Sequence, residues 1–447
     1  MSRIIHRDLQ NNPPIASKGN GIYLFDSQGR KYLDACGGAA VSNLGHSHPK
    51  VIAAMHKQID KLAYTHTSFF STEVSEELAQ HLVNFAPNGL EKVYFVSGGS
   101  EAMEAALKLA RQYFFAIGES NRTFFIARQQ SYHGNTLGAL AVGGNKWRRQ
   151  QFAPLLIDVK RISDCNEYRG RGPYETLEQY TQRLINEFEE KILETGPQNI
   201  IAFVAETVVG ATAGVVPPTP GYFQGIRKLC DQYGILYIAD EVMCGMGRTG
   251  TLHAVEQENV VPDIMTLAKG LGGGYQPIGA VLVQNHIIET LKNINGLFQH
   301  GHTYIGHPVA TAASLAVQKT IQEDNLLPKV QLRGEQLISL LRTALVNHPN
   351  IGDIRGRGLF IGIEFVKDRK TKLPFNPTLK LFARIKKRAL ENGLLIYPMS
   401  GTVDGHLGDH VLLAPPFIVS EIEVEMIVNL LIKSINEALA TLPDGIE

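Results

Sequence analysis

Short runs of unbroken apolar residues, each closing on a polar or glycine-rich turn, constrain this chain more than any other feature. VYFV (93–96), TFFIA (123–127), IIAFVAE (200–206), ILYIADEV (235–242), DIMTLAK (263–269) and GAVLV (279–283) are such runs. A strand without polar alternation is buried on both faces. Between several of them lie stretches of helical spacing, EAMEAALKLARQYF (101–114) and YFQGIRKLCDQYG (222–234). Strands alternating with helices predict an α/β fold, a mostly parallel sheet covered by helices. Ligands of such sheets collect at the carboxyl ends of the strands, so the polar residues placed there carry the functional information.

The two ends of the chain follow a different pattern. GIYLFDSQGRKYLDA (21–35) predicts a β-hairpin turning at Ser27-Gln28-Gly29. Beyond about residue 325 a helical stretch (329–348) leads to RGRGLFIGIEFV (355–366), which reads as one strand. A helix (378–393), a short strand HVLLAPPF (410–417) and a last amphipathic helix follow. The expected division is an N-terminal segment (1–60) packing with the small domain, a large central α/β domain (61–325) and a smaller α+β C-terminal domain (326–447).

Charge and cysteine usage narrow the function classes. Lys plus Arg equals Asp plus Glu, 43 each, which gives no support for a nucleic-acid or anionic-membrane partner. The four cysteines form no C-x-x-C pair, so neither a zinc site nor a disulfide framework is indicated. The histidines of GHSHP (45–49) and GHTYIGH (301–307) lack metal-ligand spacing, and no metal is expected. With no signal-peptide core and no run of 18 apolar residues, a cytoplasmic location is expected.

Four constellations sit at predicted strand ends. SGGSEAMEAALKLAR (97–111) follows VYFV directly. Its glycines permit a tight turn, Ser100 reads as an N-cap, and the helix start is suited to a phosphate; the plainer reading is a strand-to-helix turn. IADEV (238–242) places Asp240 and Glu241 after an apolar strand, as partners for a protonated ring nitrogen or a metal, or as surface acids. Lys269 ends an apolar run and meets glycines at 270 and 272–274. Moving a lysine from its usual value to ~7 costs the charged form about 4–5 kcal/mol, which suits a nucleophilic amine; the plainer reading is a lysine reaching solvent. SYHGNT (131–136) offers Tyr132 and His133 as ring faces or hydrogen-bonding tips, or as core.

A dinucleotide site built on GMGRTG (245–250) is the competing reading. DEVMC separates those glycines from the strand, no clear helix opens after Gly250, and the acidic residue wanted about 20 positions later is replaced by the neighbourhood of Lys269.

A phosphate cradle, an acid for a ring nitrogen, a flat residue for stacking and an amine for an aldehyde are together the needs of pyridoxal 5′-phosphate. The motifs SGGSEAMEAALKLAR, SYHGNT, AETVVG, ADEVMCGMGRTG, PDIMTLAKGLGGGYQPIGA and GHTYIGHP occur in one order, from about Gly21 to near the C-terminus. The chain resembles the class III pyridoxal-phosphate-dependent aminotransferases, ω-transaminase-like enzymes of fold type I. The resemblance implies that Lys269 holds the cofactor as a Schiff base and then serves as general acid and base. It implies that Asp240 pairs with the pyridinium nitrogen, that Val242 and Tyr132 pack on the two ring faces, and that Gly99 and Ser100 bind the phosphate. Glu206 matches an acid close to Asp240. Thr303 matches a threonine that reaches the phosphate of the neighbouring subunit, which implies a homodimer. The implied reaction moves an amino group from an amine or ω-amino acid to a 2-oxo acid in a ping-pong sequence. Decarboxylases, racemases and aminomutases on the same fold are the alternative.

The chain departs from two branches of that family where a substrate carboxylate is gripped. Leu412 stands where the acetylornithine and ornithine branch has an arginine, and residues 400–410 hold none where the amine–pyruvate branch has one, Gly405 and His406 standing there instead. Arg148, Arg149 or Arg161 is then expected to supply the charge, or the donor carries no carboxylate near the ring. Ala40 replaces a tryptophan of some relatives, and Phe69 and Phe70 are expected to line the same pocket or to pack in the core.

Overall fold

The computed structural model describes residues 2–294 and 296–443. Its central feature is a seven-stranded sheet built from Leu90–Val96, Phe124–Arg128, Val159–Ile162, Ile200–Glu206, Leu236–Asp240, Ile264–Leu267 and Gly279–Gln284. With the three strands that precede them, Ala16–Asn20 (β1), Tyr23–Asp26 (β2) and Lys31–Asp34 (β3), these become β4 to β10 in chain order. The spatial order is β4-β10-β9-β8-β7-β5-β6. From β9 to β6 every pairing is parallel, and β10 alone runs antiparallel to both neighbours, β9 and β4.

The apolar runs form strands because both faces are covered. Along β8, Tyr237 and Ala239 join one buried cluster while Leu236 and Ile238 join another. On the first face the helices Leu177–Thr195 and Tyr222–Tyr233 contribute Phe188 and Phe223, whose rings meet Phe203 and Tyr237. On the second, the helix Gly99–Ala116 buries Ala102, Ala105, Ala106 and Ala110, small side chains that let it lie close to the sheet.

Two four-stranded sheets flank the large one. The strands Ile351–Arg357 (β11), Phe360–Phe365 (β12), Leu394–Leu395 (β13), Tyr397–Ser400 (β14) and Asp409–Leu413 (β15) complete the set. One sheet has the order β11-β12-β15-β14, and the other, β1-β2-β3-β13, joins the N-terminal strands to β13 through a parallel pairing. The helices Leu326–Leu345, Leu381–Glu391 and Glu421–Leu439 share one buried cluster with these strands.

The structure differs from the sequence expectation at several points. RGRGLFIGIEFV is a hairpin of β11 and β12, because Gly358 takes φ +54° and turns the chain. The N-terminal hairpin gains a third strand, β1. The strand β6 (VKRI) was not anticipated; it is an edge strand carrying two charged side chains, which breaks the apolar pattern. Ser100 is not an N-cap: Gly98 caps the helix, and Ser100 lies inside its first turn. Of the expected 326–447 domain, residues 444–447 lie outside the described residues.

Candidate active site

Three adjacent parallel strands deliver three ionisable side chains to one edge of the large sheet. Glu206 and Asp240, the last residues of β7 and β8, are direct partners in the pairing. Asp240 in turn pairs with Thr266 of β9, and Lys269 follows the end of that strand by two residues. There the chain turns with Lys269 at φ +46°, a left-handed conformation that costs a non-glycine residue about 1–3 kcal/mol. Strain of this kind is retained where the surroundings dictate it, and here it starts the turn Lys269–Leu271.

Lys269, Glu206, Asp240, Val242, Gly99, Ser100 and Tyr132 line a single cavity of about 400 Å³. Lys269 keeps part of its surface open to this cavity but is otherwise enclosed. Burial holds its ammonium below the ordinary lysine value, and the carboxylates of Asp240 and Glu206 oppose that. Burial raises the Glu206 carboxyl, and nearby Asp240 adds to the rise, while His133 and bonds from backbone N–H groups counter it. Those bonds come from Tyr132 N at 3.0 Å and Gly210 N at 2.9 Å. Asp240 accepts from Val242 N at 3.0 Å through Oδ1, and its Oδ2 lies 2.7 Å from His133 Nδ1.

The opposite wall is the start of the helix Gly99–Ala116. A Cβ added at Gly99 would fall 2.7 Å from Val242 Cγ1, so only bare backbone fits between that side chain and the helix start. The SYHGNT loop packs on the same turn: Asn135 N donates to Ser100 Oγ at 3.0 Å. Gly134, at φ +142°, comes so close that an added Cβ would meet Ser100 Oγ at 2.6 Å.

The remaining expectations divide. Thr303 is exposed and outside this cavity; its carbonyl accepts from Tyr64 Oη at 2.9 Å. Glu241 is buried and structural, accepting from Ala254 N and Val255 N at 2.8 and 3.0 Å. Phe69 and Phe70 are 78% and 69% exposed, so they line neither this chain's cavity nor its core, while Ala40 is buried against a separate apolar cluster. Arg161 donates to the carbonyls of Arg128, Ala141, Val142 and Gly143, which occupies its guanidinium. GMGRTG lies in a series of turns followed by the short 3-10 turn Ala254–Glu258, and the guanidinium of Arg248 is buried on the carbonyls of Leu359 and Pro415. It opens no helix that could face a pyrophosphate.

Sequence reasoning left His133 out of the site. The SYHGNT pattern offers it only as a ring face, a hydrogen-bonding tip or core; its partner is 107 residues away, so local spacing does not assign its role. The cavity wall formed by Gln276, Pro277 and Ile278 was also missed.

The donor set fits pyridoxal phosphate: an enclosed amine, a buried carboxylate fixed by two contacts, and a glycine-bared helix start facing one cavity. The comparisons agree. Residues 4–435 match the family Aminotransferase class-III. An uncharacterized aminotransferase of Schizosaccharomyces pombe is 46% identical over 441 residues, covering 98% of this chain and 96% of that protein. The gamma aminobutyrate transaminase 3, chloroplastic, of Solanum lycopersicum is 38% identical, covering 93% of this chain and 79% of that protein. The ω-transaminase of Pseudomonas jessenii, solved in complex with PMP, superposes with a TM-score of 0.93 at 34% identity, covering 100% of this chain and 98% of that one. These names favour amino transfer over the decarboxylase, racemase and aminomutase alternatives. The chain belongs to the class III aminotransferases, a pyridoxal-phosphate-dependent family with the type I fold.

Proposed function

We propose that this enzyme moves an amino group from an amine or ω-amino acid donor to a 2-oxo acid, with Lys269 as its catalytic residue. The observation that carries the reading is the convergence of Lys269, Asp240 and the Gly99 turn on one cavity. Relatives named gamma aminobutyrate transaminase and ω-transaminase support the donor class.

Bound pyridoxal phosphate supplies an aldehyde for amine exchange and a ring that takes up the electron pair left when a substrate C–H bond breaks. The chain's own residues do the rest. Lys269 Nζ, held below the ordinary lysine value by burial, is neutral more readily than a surface lysine, as a nucleophile must be. Once free, the same nitrogen takes and returns the proton of the reacting carbon. Asp240 presents a carboxylate to a ring N–H, and His133 and Val242 N hold it in one orientation. Glu206, beside Asp240, fixes the Tyr132 loop through the Tyr132 N–H. Val242 and Tyr132 are the two faces of the slot for the ring. Gly99 and Ser100 at the helix start take the phosphate, where unpaired backbone N–H groups favour an anion.

The exposed Thr303 and Tyr64, with exposed Phe69 and Phe70, support a homodimer in which Thr303 serves the neighbouring subunit's phosphate site. Borohydride reduction of the holoenzyme and peptide mapping test the central assignment. The expected result is the cofactor attached to the peptide of Lys269; a Lys269 peptide free of label removes the basis of the reading.

A further inference from the structure

The cavity has a charge problem. Its wall carries two carboxylates, Glu206 and Asp240, against one amine, Lys269, which the proposed function assigns to the cofactor. A 2-oxo acid brings a further negative charge. A carboxylate entering a partly enclosed site needs a cation or converging N–H donors.

One guanidinium borders the cavity through a residue of its wall. Arg148 lies over the ring of Tyr132, 4.7 Å from its centroid. Tyr132 lines the cavity and its backbone N–H is fixed by Glu206. Among the described residues the Arg148 guanidinium makes no hydrogen bond and no ion pair. It is half-buried, and its charge bears on Lys269.

Its support is a chain of hydrogen bonds. Arg148 belongs to the short helix Lys146–Arg149, where the Asn145 side chain accepts from Arg148 N at 3.2 Å. Asn145 Nδ2 donates to Gln130 Oε1 at 3.4 Å. Gln130 Nε2 donates in turn to the carbonyls of Gly401 and Thr402, at 2.8 and 3.2 Å. The arginine-free loop of residues 400–410 therefore packs on this helix, and a Cβ added at Gly405 would meet Lys146 N at 3.0 Å and Trp147 N at 3.2 Å. The other candidates are less well placed. Arg161 is engaged on carbonyls, and the charge of Arg149 bears on Arg161, whereas Arg148 sits on a ring of the cavity wall. Arg7 is exposed on the N-terminal segment, though its charge also reaches Tyr132.

We propose that Arg148 is the specificity-determining residue that binds the carboxylate of the 2-oxo acid acceptor, its plane seated on the Tyr132 ring and its N–H groups turned to the substrate. This rests on the proposed amino transfer. Arg148→Met removes the charge and keeps the length; Arg148→Lys keeps the charge and loses the two-pronged geometry.

The test compares an anionic acceptor, pyruvate, with a neutral one, butanal, on pyridoxamine-loaded holoenzyme, and measures butyrate binding to the holoenzyme by calorimetry. In Arg148→Met, the second-order rate constant of the pyruvate half-reaction is expected to fall about 10- to 100-fold, mainly through weaker acceptor binding. That for butanal should stay within about threefold, and butyrate affinity should fall about tenfold or more. Arg148→Lys should recover part of the pyruvate loss, and Arg7→Ala should lose less than Arg148→Met. Equal losses on both acceptors, unchanged butyrate affinity, or a larger loss in Arg7→Ala each overturn the assignment. A wild-type enzyme that transfers no amino group to either acceptor counts instead against the proposed function, and butyrate binding then decides the role of Arg148 separately.

Discussion

His133 Nδ1 lies 2.7 Å from Asp240 Oδ2, and both side chains are buried. The second Asp240 oxygen takes the Val242 N–H, so the carboxylate is held at both ends. His133 Nε2 has no partner among the described residues. The imidazole thus holds the acid in position while lining the same cavity.

Asp240→Asn should therefore slow the amine half-reaction by about 100-fold or more, the scale of losing a preorganised electrostatic contact. Cofactor retention should fall much less. Stopped-flow absorbance of the half-reaction and cofactor content after gel filtration separate the two effects. His133→Phe should cost less than Asp240→Asn, since the carboxylate keeps its bond from Val242 N. A variant Asp240→Asn that turns over normally while shedding its cofactor contradicts the pairing.

Lys269→Ala should give a folded protein that binds pyridoxal phosphate without covalent attachment and completes no transamination. The φ of +46° at this residue is no easier for alanine, so stability should change little from the backbone. Circular dichroism, borohydride labelling and multiple-turnover assays check the three parts.

Gly99→Ala places a Cβ 2.7 Å from Val242 Cγ1. The clash should weaken cofactor affinity by about 1–3 kcal/mol, the usual cost of overpacking. Adding Val242→Ala relieves the clash, and the double variant should regain part of the affinity. Cofactor titration of the apo forms reads the cycle; additive losses would place the effect elsewhere.

Homodimerisation can be tested by complementation. Thr303→Ala and Lys269→Ala chains, mixed and refolded together, should recover activity that neither has alone. Each hybrid dimer holds one site with Lys269 of one chain and Thr303 of the other. A mixture no more active than the average of its parts removes Thr303 from the neighbouring site.

A pH test comes from His410, in β15. Burial pushes its imidazole down to about 3, from an ordinary value of 6.5, with Arg355 opposing protonation as well. Folded His410 stays neutral while the unfolded chain takes up a proton below about 6.5. Its contribution to stability is thus full above that value and is lost as pH falls toward about 3, at up to ~1.4 kcal/mol per pH unit. Urea unfolding of His410→Asn should show a shallower loss between pH 6 and pH 4 than the parent, an interval chosen inside about 3 to 6.5.

Much of this molecule was legible before its structure, and the rest was hidden for identifiable reasons. The strands of the large sheet announce themselves because both faces are apolar, and their last residues, Glu206, Asp240 and, just beyond, Lys269, stand out as charge after grease. The edge strand β6 does not, since Lys160 and Arg161 interrupt its apolar character; the Arg161 guanidinium is sheltered only by carbonyls that folding brings together. The turn at Gly358 was overlooked because RGRGLFIGIEFV is equally acceptable as one strand, and a single positive φ decides between them. Long-range contacts such as His133 to Asp240 or Gln130 to Gly401 leave no trace in local spacing.

The reversed strand β10 has a mechanical consequence. Ala280 pairs with Leu267 on one side and Phe95 on the other, while Gly279 sits opposite Val96. The turn bearing Lys269 and the turn bearing Gly99 are thus spaced by two hydrogen-bonded ladders, each about 4.8 Å wide. The two turns that face the cavity are held apart by one intervening strand, and neither can drift without tearing a ladder at that end of the sheet.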